Sequence, residues 1–319
     1  MDEFTLIERV FAPLTTGAPE ALDLRDDAAV IAPEGTLVMT KDMLVDGVHF
    51  RADDPPALIA RKLLRVNLSD LAAMGATARF YLLALAVPAA LDDAWLADFA
   101  AGLAADQAEF GVHLIGGDTV ATDGPLVVSL TAVGRAANGG VLRRDGAQPG
   151  DRLYVSGSIG DAALGLAAAQ ARIDGGVLAD RLIDRYLLPR PRLDLGRRLV
   201  GLARAAIDIS DGLVADVGHL CAASGIGAVI EAGRVPLSEA ARAVLERDPK
   251  LLPLVLTGGD DYELAFAADP ARSEAINEAA ARAGVRVTVI GRMVERGGLS
   301  VVDDHDYPID VGKLGYTHR

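Results

Sequence analysis

The sequence predicts a mixed α/β (α+β) protein of two domains, on three observations. First, 319 residues exceed one ordinary core at roughly 150 residues per domain. Second, strand-like and helix-like stretches mix through both halves without the strict βαβ rhythm of a purely parallel sheet. Third, 51% hydrophobic residues and a mean hydropathy of +0.27 allow a large buried core and exclude a disordered chain. The turn-rich stretch RDGAQPGD (144–151) sets the boundary, giving domains 1–148 and 149–319.

In chain order, Thr36–Met39 is a short apolar strand ending just before Asp42. A helix follows over Ala57–Met74: Leu58, Leu63, Leu64, Leu68 and Leu71 recur at helical spacing and Gly75 is its stop. Phe80–Val87 reads as a buried strand, and Asp92–Phe110 as an Ala-rich helix capped by Asp92 or Asp93. Val112–Ile115 is a strand running into Gly116-Gly117-Asp118, and Leu126–Val133 is another. The second half offers a strand at Arg152–Val155, the loop SGSIGD, a helix over 161–171, IDISDGL (207–213) and a helix through Cys221. An apolar run, Leu251–Leu256, leads into TGGDD and a further strand; a helix over 270–283 and a strand over 285–290 precede a Gly-rich tail.

Charge narrows the function. The chain carries 31 Lys and Arg against 45 Asp and Glu, a net charge of −14. That balance disfavours nucleic acid and anionic membrane surfaces, and 4% aromatic residues leave little for base stacking. Cys221 stands alone, which rules out an intrachain disulfide and a cysteine metal cluster and fits a reducing cytoplasm; it reads as an inert thiol inside a helix. MDEFTLIERV lacks the basic and apolar pattern of a signal peptide. The longest apolar run, Phe80–Leu91, falls short of the ~18 residues a bilayer requires. The expectation is a soluble cytoplasmic protein.

Arg61, Lys62, Asp180, Arg181, Glu246 and Arg247 read as solvated helix faces. Another set of acids differs in kind. Asp26-Asp27, Asp42, Asp70, Asp118, Asp208, Asp211 and Asp260-Asp261 sit at strand ends, beside glycines or within apolar helix sequence. One such Asp is ordinarily a cap or turn residue, but so many loci exceed what capping explains. Adjacent carboxylates repel unless a cation compensates, and Mg²⁺ is the hard ion held by carboxylates plus substrate phosphates. Asn67 and Asp70, three apart, share one face of an apolar helix, where an unpaired carboxylate is costly. The glycines of GGD and TGGDD allow a ligand close to the backbone. GxxxxGK[ST], GxGxxG, GxSxG and HExxH are all missing. SGSIGD before a helix serves equally as an anion site or a plain turn. The residues alone thus point to several Mg²⁺ ions holding a phosphorylated ligand.

RDDAAV (25–30), TKDMLVDGVHF (40–50), VNLSDLAAMGA (66–76), LIGGDT (114–119), GAQPGDRLYVSGSIGDAALGL (146–166), AIDISDGL (206–213) and TGGDDYELAF (257–266) follow one another across nearly the whole chain. In that order the set resembles the thiamine-monophosphate kinases, within the aminoimidazole ribonucleotide synthetase-like (PurM-like) superfamily. The resemblance implies ATP-dependent phosphorylation of thiamine monophosphate to thiamine diphosphate by direct transfer. It also implies an N-terminal ATP- and Mg²⁺-binding domain that dimerises through a shared β-barrel, and a C-terminal α/β domain. Metal ligands then fall on Asp26, Thr40, Asp42, Asp70, Asp118, Asp208 and Asp211, with Lys41 occupying a further ligand position. Nucleotide contacts fall on Phe110, Gly117, Asp118, Arg144 and Ser210, and contacts with thiamine phosphate on His49, Asp260 and Tyr316.

Three positions depart from the family pattern. Arg25 replaces a glycine before the acidic pair, Lys41 replaces a hydroxyl residue between Thr40 and Asp42, and Asp260 replaces a glutamate. Lys41 removes an oxygen ligand and adds a positive charge that substitutes in part for a cation. A phosphate monoester is already anionic near neutral pH, so no general base is assigned. Two alternatives stand beside this expectation. One is another ATP-using synthetase of the superfamily, although the absence of Cys from the N-terminal half disfavours selenophosphate formation. The other is a catalytically impaired nucleotide or thiamine-phosphate binding protein.

Overall fold

The computed structural model describes residues 3–26, 28–32, 35–295, 298–312 and 315–316, and Asp27 lies outside them. The chain divides into two compact units, Met1–Leu71 with Ala76–Ala136, and Ala72–Gly75 with Ala137–Arg319.

The first unit opens with α1 (Glu3–Leu6), a π-turn over Ile7–Phe11 and 3-10 turns at Ala12–Thr15 and Pro19–Leu24. Four strands then form one sheet: β1 (Leu37–Val45), β2 (Thr77–Pro88), β3 (His113–Thr122) and β4 (Val127–Arg135), in the order β1-β4-β2-β3. Only the β2–β3 pair is parallel. Two helices, α2 (Pro56–Ala73) and α3 (Asp93–Phe110), pack on one another through Gly102, where an added Cβ would lie 2.2 Å from the Ala57 carbonyl oxygen. Asp92 caps α3, its carboxylate accepting from Trp95 N–H at 2.8 Å. Period-2 alternation along β1 buries Val38 and Leu44 beside half-buried Thr40 and Asp42, and exposes Leu37, Met39, Lys41 and Met43. The helices cover only the first of these faces.

The second unit is built on six strands: β5 (Arg152–Ser156), β6 (Ala205–Asp208), β7 (Gly227–Glu231), β8 (Leu264–Ala268), β9 (Val287–Val294) and β10 (Leu299–Val302). Their order is β10-β7-β9-β5-β8-β6, antiparallel except for β7 with β10. The helices are α4 (Asp161–Ala169), α5 (Ala179–Leu187), α6 (Leu193–Leu199), α7 (Leu213–Ser224), α8 (Glu239–Arg247), α9 (Leu252–Thr257) and α10 (Ser273–Arg282). Every residue of β8 is buried, because Leu264, Phe266 and Ala268 join the core under α6 and α10 while Ala265 and Ala267 join the core under α7.

Several expectations change against this structure. The first strand runs on through Thr40, Lys41 and Asp42 instead of ending before them, since β4 pairs with it residue by residue to Val45. β3 likewise continues through Gly116, Gly117 and Asp118. Gly117 serves strand contact, not a loop: an added Cβ would lie 2.0 Å from the Leu83 carbonyl oxygen. The Leu251–Leu256 run forms α9. Lys62 is buried, its Nζ donating to the His49 carbonyl at 3.3 Å, and half-buried Arg61 donates to Asp106 at 2.7 Å, so neither is a freely solvated charge.

Candidate active site

Most candidate residues of the first unit gather in two places. At the first, β1 lies along α2: Thr40 Oγ1 donates to Asp70 Oδ2, and Asp42 N–H donates to Asn67 Oδ1 at 3.1 Å. Asn67, fully buried, returns its amide to the Leu63 carbonyl at 2.9 Å, which fixes the acceptor toward β1. Burial, with Asp70 nearby, pushes the Asp42 carboxyl up to about 6, and Lys41 opposes the shift. Lys41 itself projects from the other face of β1, where Nζ donates to Ser129 Oγ.

The second place is a cavity of about 230 Å³ lined by Phe11, Leu24, Asp26, Leu114, Gly117 and Asp118, among others. It offers apolar walls with two carboxylates and a bare stretch of strand backbone. β1 and β3 are the opposite edges of the sheet, so three strand spacings, on the order of 14 Å, separate Asp42 from the Gly117–Asp118 end of the same row. One chain does not bring these two carboxylates together.

His49 lies in the turn after β1; its Nδ1 accepts from Val45 N–H at 3.1 Å, which leaves the proton of the neutral ring on Nε2. Phe110 ends α3 beneath the Arg65 guanidinium, 5.0 Å from ring centroid to Cζ. Arg65 is itself buried, bonded to fully buried Asp106 at 2.7 and 2.9 Å.

In the second unit one loop collects the remaining candidates but one. β6 ends at buried Asp208, and the chain turns through Ser210, Asp211 and Gly212 into α7. Asp216, on the first turns of α7, accepts from all three N–H groups of Ser210, Asp211 and Gly212 at 3.0, 3.0 and 3.1 Å. Burial and the neighbouring Asp211 push its carboxyl up to about 7. Asp260 N–H donates to the Ser210 carbonyl at 2.9 Å, and Tyr316 N–H donates to the Asp211 carbonyl at 3.0 Å. Asp260 holds a left-handed φ of 73°, rare for a residue other than glycine and a mark of local constraint. Ser210, Asp211, Asp260 and half-exposed Tyr316 thus border one another. Arg144 stands apart as an exposed loop residue whose carbonyl accepts from Ser224 Oγ at 3.1 Å.

Asp216, Asp106 and Glu263 escaped the sequence reading. Asp216, Asp211 and His219 also place ligand atoms within 4.8 Å of one another. Only Asp216 carried a local signal, its i, i+4 spacing from Gly212 at a helix start.

Comparison with known proteins extends these observations. Residues 25–136 match the AIR synthase related protein N-terminal domain and residues 148–304 the corresponding C-terminal domain. The chain is 48% identical to the thiamine-monophosphate kinase of Caulobacter vibrioides, over 99% of this chain and 90% of that protein. The crystal structure of thiamine-monophosphate kinase from Stenotrophomonas maltophilia superposes with a TM-score of 0.84 at 41% identity, over 94% of this chain and 96% of that one. AaThiL complexed with AMPPCP and TMP superposes with a TM-score of 0.80 at 29% identity, over 99% of this chain and 97% of that one. With both domain models matched and full-length relatives well above 30% identity, the chain belongs to the thiamine-monophosphate kinase family.

Proposed function

We propose that the protein transfers the γ-phosphoryl group of ATP to thiamine monophosphate, yielding ADP and thiamine diphosphate. The observation that carries this reading is the pairing of Thr40, Asp42 and Asp70 into a hard oxygen cluster, within a chain alike over its length to a kinase complexed with AMPPCP and TMP. The donor set fits Mg²⁺, for a divalent ion offsets the burial and the neighbouring Asp70 charge that raise Asp42. Asp26, Thr40, Asp42, Asp70 and Asp118 in the first unit, and Asp208 and Asp211 in the second, are the groups assigned to hold several Mg²⁺. Bound there, Mg²⁺ supplies neutralisation of the phosphate charge.

The chain's own residues bind and orient. Gly117 and Asp118, Phe110, Arg144 and Ser210 are assigned to the nucleotide, and His49, Asp260 and Tyr316 to thiamine monophosphate. The Asp216 cradle holds the Ser210–Gly212 backbone, and Asn67 holds β1 at Asp42. No residue is assigned as a base, because the attacking phosphate oxygen already carries charge, with a second pKa of about 6. Residues 1–148 are assigned most of the metal ligands, most of the nucleotide contacts and dimerisation, and residues 149–319 the α/β domain with Asp208 and Asp211.

This reading includes a homodimer in which two four-stranded sheets close into a shared barrel. Exposed Leu37, Met39, Met43, Leu82 and Val120 support it, as does the placing of Asp42 and Asp118 on opposite sheet edges. A cytoplasmic location goes with it, supported by the lone buried Cys221, whose thiol burial pushes up to about 11. Among the described residues no helix is long and apolar enough to cross a membrane.

The test is ADP release with and without thiamine monophosphate, on wild type, Asp42→Asn and Asp118→Asn. Substrate-dependent ADP formation, with turnover lowered about a hundredfold or more in both folded variants, is expected. Tight binding without turnover in the wild type points to a sensor instead, and near-normal turnover in both variants removes the metal assignment.

A further inference from the structure

In the second unit, arginines collect away from the Ser210 loop. A cavity of about 490 Å³ is lined by Gly157, Ser158, Arg185, Arg190, Arg192 and Arg286, among others. Behind its wall, fully buried Glu263 accepts from Arg192 Nε at 2.6 Å and from Arg185 Nη2 at 3.0 Å. One carboxylate therefore serves two guanidinium groups and leaves a positive charge over. Arg185 is only 8% exposed, and its Nη1 is buried with no hydrogen-bond partner. An orphaned guanidinium N–H at such a place is costly unless something accepts from it.

The surrounding acids do not cancel this surplus. Arg181 pairs with Glu239 at 2.8 Å and Arg190 with Asp184 at 3.1 Å, both at exposed sites. Asp161 also lines the cavity, its two oxygens accepting from the Ser158 and Ser238 hydroxyls, each at 2.5 Å. Its carboxylate offsets one guanidinium, and one positive charge still remains once Arg286 is counted. Asp261 accepts from Gly160 and Ala162 N–H, and burial pushes its carboxyl up to about 8, so it adds little negative charge near neutrality. The Arg286 side chain makes no ion pair among the described residues. In a chain with a net charge of −14, a cavity with an excess of guanidinium selects an anion.

We propose that this cavity is a second anion site, in which Arg185, Arg192 and Arg286 hold the phosphate of a small phosphorylated molecule or free inorganic phosphate. Guanidinium is suited to tetrahedral oxyanions because its planar N–H pairs bind two oxygens at once. The site is independent of the residues assigned to phosphoryl transfer, none of which lines the cavity.

Calorimetric titration of the full-length protein, in metal-free buffer, with inorganic phosphate and separately with ribose 5-phosphate tests the proposal. At least one of the two should bind saturably at one site per chain. The tighter of them identifies the source as the free ion or a phosphate ester. Arg286→Glu, at an exposed position, should weaken that binding about tenfold or more with the circular dichroism unchanged. Arg272→Glu carries the same charge change at an exposed position outside the cavity and should leave it intact. No saturable binding of either anion overturns the proposal. So does Arg286→Glu binding like wild type, or Arg272→Glu weakening it equally.

Discussion

Asp261 shows how far a single residue can depart from its ordinary chemistry. Fully buried, it is pushed from an ordinary 3.8 up to about 8, chiefly by loss of water, although Gly160 N–H donates to it at 2.6 Å. Between those two values the folded protein keeps a proton that the unfolded chain has released. Stability therefore falls as pH rises from 3.8 to about 8 and levels off above. Asn at this position keeps the shape and an acceptor for Gly160 but cannot ionise. Asp261→Asn should flatten the fall in urea midpoint across that range relative to wild type. Parallel curves for the two proteins would mean that Asp261 is ionised in the fold. Asp216 differs, because its three backbone donors need an acceptor more than a charge. Asp216→Ala should lower thermal stability and weaken activity together, whereas Asp216→Asn retains most of the stability, as differential scanning calorimetry with the ADP assay would show.

Helices pack closely where glycine permits it. In α4 an added Cβ at Gly165 would meet the Leu182 carbonyl oxygen of α5 at 2.1 Å, whereas at Gly218 in α7 the nearest atom lies 4.0 Å away. Gly165→Ala should force α4 from α5 and cost about 1–3 kcal/mol. Gly218→Ala should gain roughly 0.5–1 kcal/mol from helix propensity alone. Urea unfolding of both decides, and equal effects would refute the packing argument. The same contrast between local and tertiary causes explains what the sequence disclosed. α2 was legible nearly to the residue, since its leucine periodicity and Gly75 stop are local signals. β1 was read short because Thr40, Lys41 and Asp42 break the apolar run, and only pairing with β4 carries the strand through them. The ISDG turn was visible as a loop of acids, but the partners that tie Glu263 to Arg192 lie 71 residues apart and leave no local trace. α5, α6 and α8 went unread, their short amphipathic patterns submerged among arginines and acids.

At the scale of the whole molecule, the four-stranded sheet leaves much of one face uncovered, with Met39 62% and Met43 50% exposed beside Lys41, while Ala18, Ala21 and Ile31 cover it at Phe80 and Val133. Exposed apolar side chains gathered on one sheet face are what the proposed dimer would bury. If two copies close their sheets into a barrel, the β1 edge of one meets the β3 edge of the other, and Asp42 of one subunit joins Asp118 of its partner. Met39→Glu with Met43→Glu should then convert a dimer of 33.2 kDa chains to monomer and abolish turnover, as light scattering and the ADP assay would record. Complementation gives the sharper result. Asp42→Asn and Asp118→Asn homodimers are each expected to be inactive, yet a hybrid of the two carries one site with both wild-type carboxylates. After unfolding and refolding an equal mixture, about a quarter of wild-type activity per chain should return, since half the dimers are hybrid and half their sites intact. Activity that stays at the level of the separate variants would place both carboxylates in the service of their own chain and remove the shared site from the mechanism.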